Sequence, residues 1–187
     1  NSTEYNTASQ AYKVTDPAGI ESQSTFDDAG RPTKQISNYT DGDPSTGGSD
    51  EDVTIEMEYN SDGKLTTLTA KNPTTGDQET QYVYGSDTGG ITPYVYREDL
   101  LRAEIYPDSD DTTSLGNGTD GTYDRIEYKY DIQGNRIERK DQNASVHTFE
   151  LDDNGRVTHD RVTTVATGID DAVLRVSTTY DIRGLRE

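Results

Sequence analysis

The residues of this chain best placed to do chemistry are its acids. Asp108, Asp110 and Asp111 fall within four positions, and Asp120 sits at the far end of the same polar loop. Closely spaced carboxylates are hard oxygen ligands of the kind Ca2+ takes. Asp41, Asp43, Asp50, Glu51 and Asp52 form a second cluster. Neither run has the EF-hand spacing with its closing Glu. Ca2+ binding by Asp108, Asp110, Asp111 and Asp120 therefore competes with the plainer reading of a solvated acidic loop. No residue pattern requires any other cofactor. The two histidines, His147 and His159, lack the local Ser or Cys context of a nucleophilic site and read as polar strand positions. No pair of acids stands apart as a glycosidase pair would. The residues point to no catalytic group, and the chain reads as a non-enzyme.

Those acids lie in loops between the copies of a repeat. Phe26-Asp27-Asp28-Ala29-Gly30-Arg31, Tyr59-Asn60-Ser61-Asp62-Gly63-Lys64 and Tyr130-Asp131-Ile132-Gln133-Gly134-Asn135-Arg136 share one pattern. Leu151-Asp152-Asp153-Asn154-Gly155-Arg156 and Tyr180-Asp181-Ile182-Arg183-Gly184 continue it. Each copy has an apolar residue, usually aromatic, then Asp or Asn, two variable residues and Gly, with a basic residue following in most. Such recurrence means one structural unit used many times.

Around the Tyr130 copy, Ile126, Tyr128 and Tyr130 alternate with Glu127 and Lys129, the period of a half-buried strand. Asp131 to Gly134 then reads as a turn, with Asp accepting a backbone N–H and Gly supplying positive φ. Further turns are expected at Asp141-Gln142-Asn143-Ala144 and Asp152 to Gly155, ten and eleven residues on. Asp16-Pro17-Ala18-Gly19 and Asp27 to Gly30 repeat the eleven-residue spacing. Such spacing leaves room for a strand of ordinary length and none for a long helix. Leu101, Ala103 and Ile105 predict a strand, with one short helical turn near Glu98 as the alternative. The expected fold is all-β: antiparallel hairpin repeats forming one curved or spiralling sheet over residues 1–187. Long acidic loops are expected near 41–52 and 107–123, and a shorter one at 85–90.

Leu, Ile, Val and Phe make up only a sixth of the chain, and the formal net charge is -19. That composition borders on disorder. The in-register alternation and thirteen tyrosines argue instead for an ordered protein with a thin core. A Tyr ring can be buried while its hydroxyl keeps a partner. An excess of 36 acidic over 17 basic residues argues against nucleic acid or an anionic membrane surface as partner. No apolar run approaches a membrane span and no signal peptide is seen. Cysteine is absent, so disulfides and thiolate metal sites are excluded.

With these motifs laid out, the chain resembles the RHS/YD-repeat family, whose unit reads Tyr-Asp, two variable residues, Gly-Arg, then a second Asp-x-x-Gly turn. The copies at Tyr130, Leu151 and Phe26 fit best. The Tyr59 copy has Asn60 and Lys64, and the Tyr180 copy has Leu185 where Arg is expected. The section from about Thr80 to Asp124 departs furthest, although Tyr82-Val83-Tyr84 and Val95-Tyr96 read as strands of the same sheet. The resemblance implies hairpins winding into a hollow shell within a large secreted or surface protein. Asp16-Pro17-Ala18-Gly19-Ile20 only partly matches the self-cleavage motif associated with such shells, and that activity is not carried over.

The chain starts and stops within repeat-like sequence, as a piece of something longer would. The expected role is structural: a segment of an extracellular or cell-surface scaffold, shell wall or self-assembling fibre, partnered by itself or by neighbouring repeats. The alternative is a glycan- or Ca2+-binding adhesion module, with Tyr82, Tyr84, Tyr94 and Tyr96 as a row of sugar-stacking rings. The repeat arginines Arg31, Arg136 and Arg156 are expected to pair with acids across the strands.

Overall fold

The computed structural model describes residues 1–85 and 97–187. Among them are thirteen strands and no helix. They form one antiparallel sheet whose spatial order follows the sequence. The chain divides into two compact units, Asn1–Gln81 and Tyr82–Glu187.

The first unit holds β1 (Ser2–Tyr5), β2 (Ala11–Thr15), β3 (Glu21–Phe26), β4 (Pro32–Ser37), β5 (Val53–Tyr59), β6 (Leu65–Ala70) and the start of β7 (Gln78–Tyr84). The second holds the end of β7 with β8 (Leu101–Ile105), β9 (Ile126–Tyr130), β10 (Arg136–Lys140), β11 (Val146–Leu151), β12 (Val157–Thr164) and β13 (Arg175–Ser177). The expected hairpin meander is what forms. Arg97 to Leu100 is a turn, closed by Leu100 N–H on the Arg97 carbonyl at 3.4 Å, and not a helical segment. The predicted strand at Val95-Tyr96, and most of the predicted 85–90 loop, lie outside the described residues.

Every copy of the motif folds alike. In the Asp27 copy, Gly30 N–H donates to the Asp27 carbonyl at 3.0 Å, and Asp27 N–H donates to the Arg31 carbonyl at 2.9 Å. The Asp27 carboxylate accepts from Ala29 N–H at 3.0 Å and Arg31 N–H at 2.9 Å. The same four bonds recur at Asn60, Asp131, Asp152 and Asp181, and the glycines of the five copies have φ between 76° and 93°. This is a tight turn followed by a left-handed residue, and strand register slips by one residue beside it at Phe26, Tyr59 and Leu151. Asp or Asn is favoured because its side-chain oxygen reaches two backbone N–H groups that the turn leaves without strand partners.

Two more turns share this bonding. One is Asp16, as expected. The other is Asn6, where Tyr5-Asn6-Thr7-Ala8-Ser9-Gln10 is a sixth copy of the motif with Ser9 in the glycine position at φ 61°. In the first unit the turns at Asn6, Asp27 and Asn60 all lie on one edge, because each follows an odd-numbered strand. The irregular 38–52 segment and the 71–77 turn lie on the other. The second unit repeats this, with Asp131, Asp152 and Asp181 on one edge and the 106–125 loop opposite.

The core is as thin as the composition demands. Among the described residues only Ile36, Ala103, Ile105 and Ile126 are buried apolar side chains. Tyrosines make up the difference: of those described, Tyr5 alone is exposed and the rest are half-buried.

Candidate functional site

The motif residues build one contact that occurs in full twice among the described residues. Arg31 donates Nε to Asp27 of its own turn at 2.7 Å, and its second nitrogen lies 2.6 Å from the same carboxylate oxygen. Its guanidinium covers the Tyr59 ring of the next copy, 4.5 Å from the centroid. The Tyr59 hydroxyl donates to the carbonyl of Pro32, one residue beyond Arg31, at 2.8 Å. Arg156, Asp152 and Tyr180 reproduce this arrangement at 2.7, 2.6 and 4.5 Å, with the Tyr180 hydroxyl on Val157 at 2.9 Å. Tyr130 likewise donates to Leu101 at 2.7 Å. We call this contact the clip.

Glycine serves it a second time. A Cβ at Gly63 or Gly184 would stand 3.2 Å from the Arg31 or Arg156 guanidinium of the preceding copy, tighter than ordinary packing. The expected cross-strand pairing of these arginines is thus corrected: Arg31 and Arg156 bond to their own turn Asp and stack on the following Tyr, because the tight turn brings residue i+4 back beside the carboxylate. Arg136 has no such Asp; Asn135 bonds Asp131 instead at 2.9 Å, and Arg136 lies over Phe149 at 5.2 Å and Tyr128 at 5.6 Å. The bonds from Arg31 lower the Asp27 carboxyl pKa below the usual carboxylate value, and those from Arg156 do the same for Asp152.

The acidic loops are organised internally. Asp52 is fully buried at φ 49° and is the hub of the 38–52 segment. Its carboxylate accepts from Thr40 N–H at 2.9 Å, Gly42 N–H at 3.0 Å, Asp41 N–H at 3.3 Å and the Thr40 hydroxyl. Burial works against its charge, but these donors outweigh it and bring its pKa down to about 2. Asp41, Asp43 and Glu51 likewise accept bonds from within the same segment.

The four predicted Ca2+ ligands part company. Asp111 pairs with the buried Arg125 at 2.7 Å, and the Arg125 guanidinium also bonds Glu127 and lies over the Tyr123 ring. Asp110 accepts from Thr119 N–H at 2.6 Å and Asp120 N–H at 3.2 Å. Asp120 accepts from Thr122 N–H at 2.6 Å, and Asp108 is exposed. Among the described residues no three His, Asp or Glu side chains gather as a metal group. Outside the strand ladder the loop's N–H groups need other acceptors, and its own carboxylates supply several of them.

His147 and His159 sit on adjacent strands and face carboxylates. His147 Nδ1 is 2.8 Å from Asp160, and His159 Nδ1 is 3.0 Å from Glu150. Tyr82 and Tyr84 are half-buried on β7, whereas Tyr94 and Tyr96 lie outside the described residues. Nearby, Tyr106 and Tyr128 both donate to Glu104, at 2.7 and 2.8 Å. The Glu104 bond and burial raise the Tyr106 phenol to about 12. A groove of about 450 Å³ lies between the 44–53 segment and the 71–75 turn, lined by Pro44, Gly47, Glu51, Lys71 and Asn72 among others. The clip and the Asp52 hub were missed by sequence reasoning. The clip had a legible signal, the Arg or Lys that follows Gly, whereas the hub had none.

No family model and no curated protein matches the chain. Crystal structures similar to it include those of TcdB2-TccC3-TEV and TcdB2-TccC3-Cdc42, at 12% and 13% identity. Both likenesses have a TM-score of 0.44 and cover 96% of this chain, which spans only 9% of either of those chains. At that level neither bears on function.

Proposed function

We propose that this chain is a structural segment of an extracellular β-repeat scaffold, whether shell wall or self-assembling fibre. The clip carries this reading. The residues that recur, Tyr, Asp, Gly and Arg, are engaged with one another in closing turns and, at Arg31–Tyr59 and Arg156–Tyr180, in fastening one hairpin to another. A chain selected for a binding face would leave some of its repeated rings or charges free, yet of the described tyrosines only Tyr5 is exposed. That also favours the scaffold over a glycan-binding module. Two measurements together test it. Removing clip hydroxyls by Tyr59→Phe and Tyr180→Phe should lower thermal stability, and a glycan array should stay blank. Specific glycan binding, or clip variants that melt like the parent, would overturn the reading.

A further inference from the structure

Asn117-Gly118 and Asn154-Gly155 are the two Asn-Gly pairs of the chain. Such a pair sets an electrophile, the side-chain amide carbon of Asn, just before a backbone nitrogen that no side chain shields. The fold treats the two pairs in opposite ways. Asn154-Gly155 lies inside a motif turn, where Gly155 N–H donates to the Asp152 carbonyl at 2.9 Å. Its nitrogen is engaged, and the exposed Asn154 amide has no hydrogen-bond partner among the described residues.

Asn117-Gly118 lies in the 106–125 loop. Thr119 N–H and Asp120 N–H donate to the Asp110 carboxylate, and Gly121 N–H donates to the Asn117 carbonyl. Gly118 N–H has no protein acceptor among the described residues. The Asn117 side chain is gripped at both ends. Its Nδ2 donates to the Gly121 carbonyl at 3.3 Å, which lays the amide along the turn that contains Gly118. Its Oδ1 accepts from Arg125 Nη1 at 3.1 Å. Arg125 is 5% exposed, and its pairs with Asp111 and Glu127 hold the guanidinium in place. Packing keeps residue 118 a glycine: at φ 53°, a Cβ there would run into Asp110, backbone carbonyl included. Asn117 and Gly118 are both exposed to solvent.

We propose that Asn117 is a site of self-modification, where Gly118 N closes on the side-chain amide to give a succinimide that water opens to Asp or isoaspartate. The Gly118 nitrogen bonds to Asn117 Cγ and gives its proton to solvent. Negative charge develops on Oδ1, where the Arg125 guanidinium already donates. The tetrahedral centre collapses with cleavage of Cγ–Nδ2, and Nδ2 takes a proton from water and leaves as ammonia. Water then adds to either ring carbonyl and opens the ring. The sum is an amide and water giving a carboxylic acid and ammonia, with no change of oxidation state. The product carries a new negative charge facing Arg125, and the isoaspartyl form lengthens the main chain there. The change is slow, runs one way and does not depend on the scaffold reading.

Peptide mapping by mass spectrometry of the full chain, incubated at mildly alkaline pH, reads both Asn-Gly pairs in one sample. In the folded chain Asn117 is expected to convert roughly tenfold faster than Asn154, the effect of a charged donor on the developing oxyanion. In urea that unfolds the chain the two rates should converge, since the dipeptides are the same. Arg125→Lys, with its fold checked by circular dichroism, should slow Asn117 and leave Asn154 as it was. Asn117 converting no faster than Asn154 in the folded chain would overturn the proposal. A difference that persists in urea would overturn it too, by assigning the rate to local sequence. An unchanged Asn117 rate in folded Arg125→Lys would overturn the role given to the guanidinium.

Discussion

At the scale of the residue, the same backbone demand is met by different side chains, and the differences are measurable. The turn needs a left-handed residue at its fourth position. Five copies place Gly there, but Asp141 to Ala144 places Ala at φ 67°. A Cβ in that region costs roughly 1–2 kcal/mol, partly offset by the entropy that glycine loses on folding. Ala144→Gly is therefore expected to stabilise the protein by up to about 1 kcal/mol in urea unfolding, with the slope unchanged. Asp52 has the opposite character, a buried acid whose charge is held by backbone donors. Its folded pKa lies below the unfolded value of about 3.9. The folded state thus binds fewer protons, and the stability from this group is complete above pH about 4 and lost as pH falls toward 2. Asp27, Asp131, Asp152 and Asp181 are shifted the same way by the bonds of their turns. Acid titration followed by circular dichroism should show unfolding in that window, with a shallower slope in Asp52→Asn, which starts from lower stability at neutral pH.

At the scale of the element, the hairpin is a local product and the clip is what joins hairpins. Turn, bulge and strand length follow from residues close in sequence, which is why alternation and Asp-to-Gly spacing placed most strands and turns correctly. The clip spans 27 residues between Tyr59 and Pro32 and 23 between Tyr180 and Val157. It supplies order that the four buried apolar side chains among the described residues cannot. Each lost hydroxyl bond should cost about 0.5–1.5 kcal/mol. Tyr59 and Tyr180 belong to separate clips with no shared partner, so the losses in the double variant should add within about 0.5 kcal/mol. The acidic loops illustrate the limit of spacing arguments. Asp108, Asp110, Asp111 and Asp120 are near one another in sequence, but which groups they face depends on how the loop closes and on Arg125 arriving from the start of β9. Ion pairing across strands was expected of the repeat arginines, and it occurs at other positions, among them Lys129–Glu138, 2.7 Å apart at directly opposed positions, Lys13–Glu21 at 2.8 Å, and Arg161–Glu150.

At the scale of the whole molecule, charge is the dominant global term. A net charge of -19 on a chain with few buried apolar groups makes self-repulsion a constant opponent of folding. Raising NaCl from a few millimolar to about 0.5 M shortens the screening length well below 10 Å. The melting temperature should rise accordingly in differential scanning calorimetry. Ca2+ and Mg2+ at matched ionic strength should give equal rises. An increment specific to Ca2+ would instead place a cation among the loop carboxylates.

The sequence by itself determined the hairpin meander, the edge on which each turn falls and the thinness of the core. These depend on period, composition and strand parity, all local or summable along the chain. Only the tertiary structure decided what the recurring Arg and Tyr do, because their partners stand in the neighbouring copy and a one-dimensional pattern does not say which copy that is. It likewise decided the fate of the acids. A carboxylate becomes ligand, hub or ion-pair partner according to the donors that reach it, and those donors arrive from elsewhere in the folded chain.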